Sequence, residues 1–394
     1  MHTIPGITKK SLSPAGEITF FDSTIREGEA APGVVFSDEE KIEIVHWLAK
    51  VGVEAMQIAY VGLDPRLKAL AQKVTAVEKG LGKVVASNGL SPQIFEMIDY
   101  VADCGCDGIS SAFFISPFSP KGIKDNESKA FCKQRMAQVI EKIRSVGKTP
   151  SVGLVDCTRT EPGVTAELAK VACEAGAKKI TLSDTVGCAT PESMYEIVSR
   201  VCEVASPFGV RIGVHCHNDF GLCLANTLAG IRAGATIACT TIDGLGERCG
   251  NASMAEVAAA LELLYGVKTK INLSTMTELS RYVEHISKVP VPWSKPLVGK
   301  YAYSHKQDIH VEGLLKHPLS VQAIPASTCG NEENIIFGKT SGPHVFEYMS
   351  KKRGIEIPQS KYGKIMDKLV QLDDGAKGTI ITEEQFWAVV KSVN

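Results

Sequence analysis

The chain has 394 residues, enough to bury a large core and to divide once into domains. Its formal charge is -1, with 22% charged residues of mixed sign, so there is no electrostatic case for nucleic acid or an anionic membrane surface. No apolar run is long enough to span a bilayer, and the N-terminal MHTIPGITKK lacks the apolar segment of a signal peptide. Twelve scattered cysteines without a CxxC pair read as thiols of a reducing cytoplasm.

From residue 18 a strand-then-helix rhythm begins. ITFFD reads as a strand and is followed by the amphipathic helix DEEKIEIVHWLAKVG. AMQIAYV comes next with a helix near 64–79, then KVVASNG with a helix near 92–104. GISSAFF precedes a long helix around 126–146. PSVGLVD, KKITLSD, RIGVHCHND and ATIACTTIDG each lead into a helical pattern, the last ending near residue 265. The strands are continuous apolar runs, as expected for strands covered on both faces. Glycines in VGVEA, CGCDG, AGAKK and AGATI suit left-handed helix ends. Eight units of about thirty residues favour a closed (β/α)8 TIM barrel over an open sheet.

Past residue 270 the rhythm stops. VPVPWSKPLVGKYAYSHKQDIH, punctuated by proline and glycine, reads as an extended linker ending in a short helix. TEEQFWAVV carries a capping-box start at Thr382 and Gln385. The expected organisation is a catalytic barrel over residues 1–270. Residues 271–394 would form a linker and a smaller, mostly helical C-terminal region that completes the active site.

In such a barrel the chemistry sits where strands end. Those ends are polar here: Asp22, Asn88, Asp156, Asp184, the run His215-Cys216-His217-Asn218-Asp219, and Asp243. Side chains alternate along a strand, so His215 and His217 point one way and Cys216 the other. Two imidazoles at a barrel mouth suit a divalent metal with a carboxylate as third ligand. Two hydrogen-bonded histidines in a polar rim would leave the same trace. FFDSTIREGE adds Arg26, Glu27 and Glu29 after strand one, and DGLGERCGN adds Glu247, Arg248 and Asn251 after strand eight.

Together these stretches resemble the isopropylmalate synthase and homocitrate synthase family, within the group that also holds HMG-CoA lyase. The family's D-x-T-L-R-[DE]-G stands here as Asp22 to Gly28, and its HxH-N-D-x-G as His215 to Gly221. Its G-x-G-E-R-x-G-N loop stands as Gly244 to Asn251. LSDTVGCATP matches the sixth strand end, and SHKQDIHVEGLLKHP and NIIFGKTSG resemble the synthases' post-barrel segments.

The resemblance implies an acyltransferase that condenses acetyl-CoA with a small 2-oxo acid, giving a 2-substituted malate and free CoA. Glu27, His215 and His217 would hold a divalent metal (Zn, Mn, Co or Mg), with Asn251 as a weaker ligand. The 2-oxo acid would chelate that metal through its keto and carboxylate oxygens. Arg26 would add positive charge at the developing oxyanion, and Thr185 would grip the substrate carboxylate. His310, with Glu247 behind it, would take the proton from the acetyl methyl group. In the resembling synthases the post-barrel arm crosses a homodimer and completes the partner's site. A carbon-carbon lyase on the same barrel is the alternative, but the HMG-CoA lyase lacks the segment that carries His310.

Several positions depart from the family pattern. Gln57 stands where the synthases usually have a glutamate at the end of strand two, and remains a candidate substrate contact. Strand five has Ser151 where the homocitrate type has arginine, and Val155 where it has glutamate. Val321 stands at the place of a tyrosine that assists the histidine. Homocitrate formation from 2-oxoglutarate is therefore disfavoured. The lost carboxylates and nearby Arg159 favour a 2-oxo acid with an additional anionic group, phosphonopyruvate among the candidates. The chain stops at Asn394, without the long domain through which leucine-pathway isopropylmalate synthases respond to leucine, so that feedback is not expected.

Overall fold

The computed structural model describes residue 14 and residues 16–60, 62–375 and 380–393. Eight strands form a closed, all-parallel barrel in chain order. They are β1 (Thr19–Asp22), β2 (Ala55–Tyr60), β3 (Gly82–Asn88), β4 (Gly108–Phe114), β5 (Thr149–Val155), β6 (Lys179–Asp184), β7 (Arg211–Cys216) and β8 (Ile237–Thr240). Closure comes from β1 against β8, where Phe21 lies opposite Cys239, and His215 of β7 also lies opposite Cys239. Phe21 and His215 therefore share one level of the barrel wall.

A short helix α1 (Thr24–Glu27) follows β1, and α2 (Asp38–Lys50) leads on to β2. The covering layer continues with α3 (Pro65–Ala76), α4 (Ile94–Val101), α5 (Asn126–Ser145), α6 (Pro162–Ala175), α7 (Pro191–Ala205), α8 (Cys223–Arg232) and α9 (Met254–Ala259). Local chemistry sets the helix ends. Ser37 and Glu40 form a full capping box on α2, as do Thr190 and Ser193 on α7. Gly52, just past α2, has φ +90, and a Cβ there would meet the Lys270 carbonyl oxygen at 2.1 Å. Only glycine closes that turn.

Strand alternation divides the barrel into two environments. Ile180 and Leu182 of β6 and Val152 and Leu154 of β5 are fully buried on the helix side. The inward positions differ from the expected apolar filling: Ala86, Ser110, Ala112, Gly153, Thr181 and Ser183 are small or polar and line an internal cavity. TIM barrels ordinarily pack this space with branched side chains. Here the strands read as apolar because of their outer faces, and the inner faces leave room. No helix among the described residues is long and apolar enough to cross a membrane.

The chain divides into two compact units between Val291 and Pro292, later than the boundary expected at residue 270. The reason is α10 (Met276–Ser287), which belongs with the barrel: Ser280 donates a hydrogen bond to Asp243 at 2.8 Å. The second unit holds α11 (Asp308–Lys316), α12 (Pro343–Arg353), α13 (Tyr362–Gly375) and α14 (Glu383–Ser392), with a two-stranded parallel sheet of β9 (Ser304–His305) and β10 (Asn334–Ile335). It has its own core, in which Phe386 stacks on Phe337 at 4.4 Å beside Phe346 and Leu369. Its last helix starts with the capping box of Thr382 and Gln385, as expected.

Candidate metal centre and active site

The turn after β1 is built by Asp22. Its carboxylate accepts hydrogen bonds from the Thr24 backbone N–H at 2.8 Å and the Thr24 hydroxyl at 2.9 Å. The same hydroxyl accepts from the Ile242 N–H at 2.9 Å, tying the first strand end to the eighth. Burial pushes the Asp22 carboxyl up to about 7, with the two Thr24 bonds opposing it. Asp22 is thus a buried brace, and the groups it presents to the cavity are Arg26 and Glu27 on α1.

His215 and His217 converge on Glu27. Their Nε2 atoms lie 3.3 Å apart, and the Nε2 of His215 is 3.4 Å from a Glu27 carboxylate oxygen. One ligand atom from each of the three lies within 4.8 Å of the others, so the group could hold a metal ion. Burial pushes the His215 imidazole down to about 3 and also lowers that of His217, so both rings are neutral at neutral pH. For Glu27, burial alone would raise the carboxyl. The paired Arg26 guanidinium works against it, and the carboxyl lies below its ordinary range.

Asn251 stands beside this group. It forms a β-bridge with His217, and its side-chain oxygen is buried with no hydrogen-bond partner among the described residues. Two neutral ring nitrogens, a carboxylate and an orphaned amide oxygen are a donor set that fits a divalent cation. The loop that carries Asn251 permits nothing larger than glycine at Gly250, where φ is +85 and a Cβ would meet the Gly244 carbonyl oxygen at 2.1 Å.

The other expected residues fall as follows. Gln57 is buried and its side-chain oxygen accepts from the Nε of Arg26, whose guanidinium also pairs with Glu27 and lies 5.1 Å from the Tyr60 ring centre. The Thr185 hydroxyl accepts from the Asp156 N–H at 2.8 Å. Glu247 is mostly exposed and pairs with Arg248 at 3.2 Å. Arg26, Glu27, Gln57, Thr185, His215, His217 and Glu247 all line one cavity of about 610 Å³. His310 belongs to the second unit, on α11, exposed and edge-on to His305 with ring centres 6.0 Å apart.

Arg159 does not behave as expected. It forks onto Asp156, with contacts of 3.0, 3.0 and 2.7 Å, and lies over the Phe118 ring at 4.7 Å. It is not among the residues that line the cavity. Three residues carry roles that sequence reasoning missed. Arg248 clamps Asp219 through two bonds of 2.9 and 3.1 Å and donates to the Thr185 carbonyl at 2.6 Å, stitching three motifs together. Arg248 and Asp219 both stood inside quoted motifs, so their opposite charges were the available signal. Tyr60 backs Arg26, and Lys179 lines the cavity from the foot of β6.

A model of the HMGL-like family matches residues 17–283. The chain belongs to the HMGL-like family. A second family model, homocitrate synthase post-HMGL domain-like, matches residues 297–377 of this HMGL-like protein. Homocitrate synthase AksA of Methanocaldococcus jannaschii is 33% identical over 384 residues, covering 96% of this chain and 91% of its own length. The 2-isopropylmalate synthase of the same organism is 34% identical over 394 residues, covering 98% of this chain and 73% of its own. These relatives show membership of the homocitrate and isopropylmalate synthase family. Two differently named enzymes at nearly equal identity do not choose a substrate. Among solved structures, an HMG-CoA lyase from Acenitobacter baumannii superposes with a TM-score of 0.60 at 20% identity, over 71% of this chain and 93% of that one. That likeness is one of fold.

Proposed function

We propose that this HMGL-like protein condenses acetyl-CoA with a 2-oxo acid to give a 2-substituted malate and free CoA. What carries the reading is the meeting of Glu27, His215 and His217 with Arg26 and Thr185 in one cavity, in a chain that also matches the synthases' post-barrel domain. Glu27, His215 and His217, with Asn251 as a weaker ligand, would hold a divalent cation, and Zn, Mn, Co and Mg all suit such donors to differing degrees. When bound, the cation supplies Lewis acidity.

The chain's own residues do the rest. The Thr185 hydroxyl accepts from the Asp156 N–H, which fixes its oxygen, and its proton is donated to the substrate carboxylate. Arg26 holds fixed positive charge where the keto oxygen becomes negative. A base, His310 with Glu247 behind it, removes a proton from the acetyl methyl group. The resulting carbon attacks the keto carbon, and water then cleaves the thioester to release CoA. The mostly buried cysteines, none in a disulfide among the described residues, suit a reducing compartment, and we read the protein as cytoplasmic.

Incubation with acetyl-CoA, a divalent metal and pyruvate, 2-oxoisovalerate, oxaloacetate, 2-oxoglutarate or phosphonopyruvate, followed by free thiol release, tests the reading. Metal-dependent thiol release with at least one acid is expected. Silence across the whole panel, with cleavage of 3-hydroxy-3-methylglutaryl-CoA instead, makes the protein a lyase.

The same reading includes a homodimer in which His310 serves the opposite subunit. The arm that leads to it, VPVPWSKPLVGK, cannot form one continuous helix. Mixing His310→Ala with Glu27→Ala is then expected to restore part of the activity that each variant lacks, since one site in a mixed dimer keeps both residues. A strictly monomeric active enzyme, or no regain after proven subunit exchange, excludes the arrangement.

A further inference from the structure

The active-site cavity does not stop at the metal ligands. It continues between the small inward residues of β3 to β6 and reaches Lys179. This lysine begins β6, and its side chain rises so that Nζ lies 3.3 Å from the centre of the Phe21 ring. Phe21 shares a level of the wall with His215, so the ammonium reaches a wall residue at the level of His215. Ser110, Thr181 and Ser183 also line the cavity, Ser110 and Lys179 both pairing in register with Ser151, and Ser183 with His215.

Lys179 has no anionic partner. Its electrostatic neighbours are the Cys239 thiol and the like-charged Arg211, and no carboxylate pairs with it among the described residues. It is half-buried and lines the cavity. Burial pushes the ammonium down to about 8, so it stays charged at neutral pH. A cation drawn this far out of water without a counter-charge is costly, and a ligand that supplies the charge offsets that cost. Lys179 is also the register partner of Ser151, the position where the homocitrate type carries arginine. The positive charge absent from β5 is therefore present one strand away.

We propose that Lys179 forms an anion subsite that selects a 2-oxo acid bearing a second negatively charged group, carboxylate or phosphonate, at its far end. This rests on the function proposed above. The 2-oxo end lies at Glu27, His215 and Arg26, and the tail points down the barrel to the ammonium, with the three hydroxyls available to a tetrahedral or planar anion.

The test separates the two readings by measuring equilibrium binding as well as turnover. Calorimetric titration of the manganese-loaded protein with pyruvate, oxaloacetate, 2-oxoglutarate and phosphonopyruvate needs no acetyl-CoA. At least one of the three tail-charged acids should bind about tenfold or more tighter than pyruvate, the scale of one charge-assisted hydrogen bond. Which of the three it is tells carboxylate from phosphonate. In Lys179→Met, a length-matched apolar side chain suited to the Phe21 wall, that preference should fall at least about tenfold. Melting curves and metal content show whether the variant remains intact, and Lys179→Arg, which keeps the charge, should retain a preference for tail-charged acids if Lys179→Met does not fold. Wild-type protein that binds pyruvate as well as every tail-charged acid overturns the proposal, and so does an undiminished preference in a folded Lys179→Met. Selective binding without thiol release leaves the subsite standing and removes the condensation reading. Thiol release with no tail preference does the reverse.

Discussion

Replacing His215 or Glu27 with alanine is expected to remove the proposed divalent-metal binding and abolish turnover while the barrel stays folded. Each residue supplies a donor that the rest of the site cannot replace. The pair of ring nitrogens 3.3 Å apart and the carboxylate 3.4 Å from one of them form a single cluster, and Asn251 adds only a neutral amide oxygen. Removing even an outer-shell partner of a metal ligand typically costs about 10–100-fold in affinity, so loss of a direct ligand should cost more. Rate should fall at least about a thousandfold, beyond the usual loss of one electrostatic stabiliser. The fold survives because the cluster sits at the strand ends and the core lies on the helix side of the wall, where Val214 and Leu182 are fully buried. Metal analysis, thiol-release assay and thermal melting on the same preparations check the three parts. Full metal content with full activity in both variants would remove the metal centre from the account.

The barrel was legible because two periodicities overlap in the chain. A run such as KKITLSD alternates between a helix-facing set, Ile180 and Leu182, and a cavity-facing set, Lys179, Thr181 and Ser183. The outer set is enough to mark a strand. What the run does not disclose is that the inner set leaves a cavity, because hollowness depends on what seven other strands place at the same level. The candidate metal cluster was legible for a local reason: His215 and His217 are two apart on one strand, and Glu27 follows the strand that closes the barrel beside β8. Arg159 was misread for the complementary reason. Proximity in sequence to a strand end put it near the pocket, but Asp156, with φ +62 and three residues earlier, turns to capture its guanidinium. Lys179 was passed over because lysine at the start of a strand ordinarily faces solvent. Only the closed topology turns that position inward.

Arg26→Lys is expected to lower kcat by about 10²–10³ while changing KM by less than about tenfold. The guanidinium is held before substrate arrives. Its Nε donates to Gln57, an Nη donates to Glu27, and its centre lies 5.1 Å from the Tyr60 ring centre. A lysine ammonium has no planar fork, so it can meet Gln57 or Glu27 without aligning on both, and it sits on a shorter, freer stem. The charge is kept, and ground-state attraction for an anionic substrate changes little. What is lost is direction: the edge of a rigid cation aimed at the oxygen that gains negative charge as the carbon-carbon bond forms. An interaction that strengthens only along the reaction coordinate appears in kcat, not in KM. Since Arg26 touches Glu27, a proposed metal ligand, the variant's metal content must be measured alongside its rate. A loss of rate that full metal occupancy accompanies supports the directional role. An unchanged kcat, or a loss that added metal restores, defeats it.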